Sequence, residues 1–96
     1  MMFSALVRVV AEEARAMGLV VPGFRSPPRL AGATRTIRSG GGAPIIAVRL
    51  RGRTFADVAA DVVEGVLVAN AVPRGADLRI RRRLLTAIEP VTPRAA

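Results

Sequence analysis

The period of the apolar residues changes once along this chain, at Gly52-Arg53-Thr54, and that change constrains the fold more than any other feature. Before it, Pro44 to Arg51 alternates. Ile46, Val48 and Leu50 fall on one side, and Ile45, Ala47, Arg49 and Arg51 on the other, as a pleated strand requires. After it, Phe55, Val58, Val62, Val66 and Ala69 recur at helical spacing. Thr54-Phe55-Ala56-Asp57 resembles a capping box with Asp in the place of the usual Glu. The helix that follows is apolar around most of its circumference, so other elements must enclose it. Gly65 sits inside it, where glycine costs about 1 kcal/mol of helix propensity relative to alanine. Close approach of a neighbouring element is the expected reason.

The remaining segments arrange themselves around this strand and helix. Phe3, Leu6, Val7, Val10, Ala14 and Met17 share one face of a predicted helix over Phe3 to Met17, and Gly18 suits its C-terminal cap. Leu19 to Ala33 is punctuated by Pro22-Gly23 and Pro27-Pro28 and reads as a loop, with Phe24 tucked into the core. Thr34 to Arg38 is a weak strand. Across a turn at Ser39 to Ala43 it pairs with Pro44 to Arg51 as a β-hairpin, and plausible registers add Arg35 and Ile37 to the Ile45/Ala47 face. The glycine run in that turn leads into neither Gly-Lys-Ser/Thr nor a helix, so it is not a phosphate loop. Ala71 to Gly75 breaks the chain. Asp77 to Ile88 follows as a helix with Ala76, Ile80, Leu84, Ala87 and Ile88 on its apolar face; a short strand at Leu78 to Arg81 is the competing reading.

The expected architecture is α+β, one small domain over residues 1–88 with a flexible tail at 89–96. A β-hairpin is packed by two to three helices in the order α-β-β-α-α. The expected core is Leu6, Val10, Met17, Ile46, Val48, Leu50, Phe55, Val58, Val62, Val66, Ile80, Leu84 and Ile88.

Charge decides which functions stay open. The chain has fifteen arginines, no lysine and seven acidic residues, for a formal net charge of +8. Arginine offers a planar fork for carboxylates and phosphates. Arg79, Arg82 and Arg83, beside Arg81, form the densest basic cluster, and Arg49, Arg51 and Arg53 a second. Together these are the candidate basic binding surface. Arg25 and Arg29, flanking the proline pair, are a candidate binding loop. Asp57, Asp61 and Glu64 share a stripe of the central helix. With so many arginines at hand, ion pairing or solvent exposure is the expected role of that stripe, rather than acid-base catalysis or metal binding.

Absences narrow the list further. There is no cysteine, histidine, tryptophan or tyrosine. This removes thiolate chemistry, the usual general base at neutral pH and the aromatic platforms of single-strand nucleic-acid binders. No residue pair reads as nucleophile and base. No enzyme activity, cofactor, metal or small-molecule substrate is expected. Arg8 and Glu12-Glu13 interrupt the apolar N-terminus, and Asp61 and Glu64 interrupt Val58 to Val72. Neither a leader nor a membrane span is expected, and the cytoplasm is the expected location. Hydrophobic residues are 51% of the chain and mean hydropathy is +0.38, high for a small soluble monomer. The expectation is a non-catalytic binding protein that forms a homodimer or meets a protein partner. The alternative is binding of DNA or RNA backbone through the arginines.

Two resemblances accompany these readings. The order helix, hairpin, helix, helix resembles the start of type II KH modules, but Pro73-Arg74-Gly75 stands where they carry Gly-x-x-Gly, and a clear third strand is missing. Pro22-Gly23-Phe24-Arg25-Ser26-Pro27-Pro28-Arg29 and Val48-Arg49-Leu50-Arg51-Gly52-Arg53 resemble stretches of small uncharacterised proteins of high-GC actinobacteria. They cover about a sixth of the chain, and the resemblance implies no function.

Overall fold

The helix that follows Thr54 is the centre of the molecule. The computed structural model describes residues 2–25, 35–38, 44–48 and 54–92. In chain order these form α1 (Met2–Ala16), β1 (Gly23–Arg25), β2 (Arg35–Arg38), β3 (Pro44–Ala47), α2 (Phe55–Ala69), α3 (Asp77–Ile88) and a 3-10 turn (Glu89–Val91). The fold is α+β.

The start of α2 is set by its capping box. The Thr54 hydroxyl accepts from the Asp57 N–H at 3.1 Å while the Asp57 carboxylate reaches back to the Thr54 N–H. Along α2, Val58, Val62 and Val66 are buried, and so are Ala59, Val63 and Leu67 on the adjoining face. Elements on several sides supply that enclosure. Leu6, Val10 and Ala14 come from α1, Leu84 and Ile88 from α3, and Ile46 and Val48 from the β3 segment. Each large apolar side chain fully removed from water contributes about 1.5–3 kcal/mol, so this one cluster dominates the stability of the domain.

The expected close approach at Gly65 is present. A Cβ there would lie 2.8 Å from Cε1 of Phe24 and 2.9 Å from Cγ2 of Ile46. The sheet therefore rests on α2 at the one residue without a side chain.

The sheet itself corrects the expectation of a simple hairpin. It is mixed and three-stranded, in the order β1-β3-β2. β2 runs antiparallel to β3, with Arg35 opposite Ala47 and Ile37 opposite Ile45, one of the registers that fit the expected grouping of these four residues. β1 runs parallel to β3, with Phe24 opposite Ile46. Gly23 to Arg25 lies in the stretch read as a loop. Three residues beside Pro22 carry no visible periodicity, and their pairing partner is distant in the chain. Ile46 and Val48 are buried, as expected, and Ala47 on the opposite face is buried too, in the central strand with a neighbour on each side. Leu50 of the expected core lies outside the described residues.

Both long helices end in the same way. After α1, Leu19 N–H donates to Ala14 C=O and Gly18 N–H to Arg15 C=O, with Gly18 at φ +78°. After α2, Val72 N–H donates to Leu67 C=O and Ala71 N–H to Val68 C=O, with Ala71 at φ +50°. These are Schellman motifs, the second with alanine where glycine is usual. Asp77 to Ile88 is helical throughout, which settles the competing strand reading. Residues 89–92, assigned to the tail by sequence, continue from α3: Val91 packs against the core and the Thr92 hydroxyl donates to Ile88 C=O.

Candidate functional site

Leu84 and Ile88 hold α3 against the core, and helical periodicity then decides what faces outward. Leu78, Arg82, Leu85 and Glu89 follow one another at spacings of four, three and four along its outward side. Leu78 is 69% exposed and Leu85 39%. Arg79, Arg82 and Arg83 are exposed beside them. α3 packs chiefly on α1 and α2.

Two of the four arginines of α3 are committed within the chain. Arg81 donates to Glu64 of α2 at 2.8 Å and lies 3.6 Å from Asp77, one turn before it on α3. The Glu64 hydrogen bond raises the pKa of the guanidinium above its ordinary value, so Arg81 is a permanent cation. Arg83 pairs with Glu13 of α1. Arg79 and Arg82 make no ion pair among the described residues. Arg79, Arg82 and Arg83 nevertheless come together around one shallow depression, with Glu13 at its edge.

A second depression opens on the other side of Leu85. Phe55, Ala56 and Ala60 of α2 line it together with Leu85 and Ile88 of α3. Its floor is small and apolar because α2 presents alanine at two positions one turn apart.

The other candidate residues fall as follows. Arg25 is exposed on β1, opposite Ala47, so it belongs to the sheet and not to a loop. Arg29, Arg49, Arg51 and Arg53 lie outside the described residues. The acidic stripe of α2 divides into three roles. Asp57 serves the helix cap, Glu64 pairs with Arg81, and Asp61 is buried at 7% exposure, one turn before Gly65. Of the two roles expected for the stripe, ion pairing or solvent exposure, burial removes solvent exposure for Asp61. Its position on the Gly65 side of α2 is the reason, since that side is where the sheet approaches.

Leu78 and Leu85 were not among the candidate residues. Both interrupt an otherwise arginine-rich helix face, and their seven-residue spacing places them on one side. That pattern is visible in the sequence once the helix is known. Among the described residues no cluster of acidic, histidine or cysteine side chains could hold a metal, and no helix is long and apolar enough to cross a membrane. No family model, no curated protein and no solved structure matches the chain.

Proposed function

We propose that the chain is a non-catalytic binding module that acts by contact with another protein chain, through the outward side of α3. The observation that carries this reading is the exposure of Leu78 and Leu85 on one side of a helix whose other exposed residues include Arg79 and Arg82. Arginine is enriched at contact surfaces, and exposed apolar side chains beside it offer a partner area to cover. Free leucine at this exposure gains by losing its water, at about 25 cal/mol per Å² covered. The charge-interrupted apolar runs of the sequence go with a cytoplasmic setting, which forms part of the proposal.

Affinity capture from the producing cell, with and without nuclease, tests the reading. Partners that survive nuclease treatment are the expected result. Their complete loss on nuclease treatment overturns it in favour of nucleic acid. That second reading is supported by Arg79 and Arg82, exposed and outside any ion pair among the described residues, as phosphate-binding groups are. Its mark is affinity for random DNA or RNA that falls steeply with salt.

A further inference from the structure

We propose that the occupant of the outward side of α3 is an acidic amphipathic helix of a different protein; the proposal rests on the reading of α3 as a protein-contact surface. Leu78 and Leu85 are two helical turns apart, about 10 Å along the axis at 1.5 Å per residue. Arg82 lies between them on the same side, exposed and outside any ion pair among the described residues. Beside Leu85, Ala56 and Ala60 form the floor of an apolar depression of about 500 Å³ that can take a further side chain. Apolar anchors at this spacing, flanking a single charge, match the side chains that one face of a helix projects at i, i+3 or i+4, and i+7. A carboxylate between two apolar anchors of the partner meets Arg82, and a guanidinium–carboxylate contact of this kind is directional.

Charge selects the partner. Of the seven acidic residues of this chain, Glu13, Glu64 and Asp77 already answer arginines, Asp57 serves the α2 cap, Asp61 is buried and Glu12 lies on α1, which leaves Glu89 as the single exposed carboxylate on the outward side of α3. Two copies meeting through this surface would bring together four exposed arginines, Arg79 and Arg82 of each, against two glutamates, Glu89 of each, on a chain whose net charge is +8. Like charges face to face are penalised, and a negatively charged helix reverses the sign of the same contact.

The test uses three synthetic helical peptides of about 20 residues, long enough to hold a helix. One carries leucines along one face flanked by glutamates. The second replaces its glutamates by lysines, and the third replaces its leucines by serines. Each is titrated into the whole isotope-labelled protein, with amide shifts and fluorescence anisotropy as readouts. The glutamate–leucine peptide is expected to shift the amides of α3 and of Ala56 and Ala60. Arg82→Glu, and separately Leu78→Ser with Leu85→Ser, should each weaken it by about tenfold or more, with circular dichroism unchanged because all three side chains are exposed.

Equal binding of the serine peptide overturns the proposal, because charge alone would then suffice. So does absence of binding, or a shift map centred away from α3. A wild-type dimer that becomes monomeric on Leu78→Ser with Leu85→Ser assigns the surface to a second copy. Nuclease-resistant capture that persists when all three substitutions are combined overturns this inference and leaves the binding-module reading standing. Capture abolished by nuclease removes the reading itself.

Discussion

The side-chain amide of Asn70 pairs with both backbone polar groups of Val20: its Oδ1 accepts from the Val20 N–H and its Nδ2 donates to the Val20 C=O, each at 2.8 Å. The same Nδ2 donates to Val66 C=O, also at 2.8 Å. One side chain thus stands in for a neighbouring strand and ties the segment leaving α1 to the end of α2, fifty residues on. That segment leads directly into β1, so the clamp also aims Phe24 at Gly65.

Loss of the clamp at half-buried Asn70 is therefore costly. Asn70→Ala removes three hydrogen bonds and should lower stability by about 1–3 kcal/mol. Asn70→Asp should be at least as harmful, since it places an acceptor against the carbonyls of Val20 and Val66. Urea unfolding of the two variants measures this. A midpoint unchanged in both would show that water replaces the amide without loss.

Gly65→Ala sets two effects against each other. The helix gains about 1 kcal/mol of propensity. The new Cβ meets Phe24 and Ile46 at under 3 Å, and Ile46 is fully buried in the central strand. Overpacking of this kind costs about 1–3 kcal/mol, so the variant should be destabilised overall. Adding Phe24→Leu should recover part of the loss, a coupling that thermal unfolding of the single and double variants reads as non-additivity.

Ala71 offers the opposite case. Its φ of +50° is the only positive value at a non-glycine among the described residues, and its side chain is exposed. Left-handed backbone costs an L-residue about 1–2 kcal/mol that glycine avoids. The greater freedom of glycine in the unfolded chain cancels part of that gain. Ala71→Gly should stabilise the fold by about 0.5–1 kcal/mol and raise the melting temperature, with no change in helix content by circular dichroism.

The Glu64–Arg81 pair should matter little by comparison. Its side chains are 46% and 30% exposed, so water competes for both charges. A double-mutant cycle with Glu64→Gln and Arg81→Met should return a coupling of about 0.5 kcal/mol that shrinks with added salt. Because the folded pKa of Arg81 is raised, its contribution is complete below the unfolded value and is lost only in strong alkali. On the arginine side, the coupling should thus be flat across the neutral range.

Local features were legible from residue types alone. The Gly18 cap, the Thr54–Asp57 box, the close approach at Gly65 and the antiparallel pairing of β2 with β3 all follow from spacings of two and 3.6 residues or from backbone freedom. β1 was not legible, because a three-residue parallel strand has no period of its own and earns its place from β3. The basic cluster of α3 was legible as a cluster, but not its division into committed and uncommitted arginines. Glu13 stands seventy residues from Arg83, and no local pattern links them.

The sequence by itself determined that α1 and α2 are helices and which of their faces are apolar, because those properties are written in neighbours within one turn; over Leu78 to Arg81 it left helix and strand in competition. Only the tertiary structure decided that Asp61 is buried, that Arg81 and Arg83 answer carboxylates on other helices, and that Leu78 and Leu85 remain in water. Burial and ion pairing depend on which elements meet in space, and a helix face does not record in its own residues what will cover it.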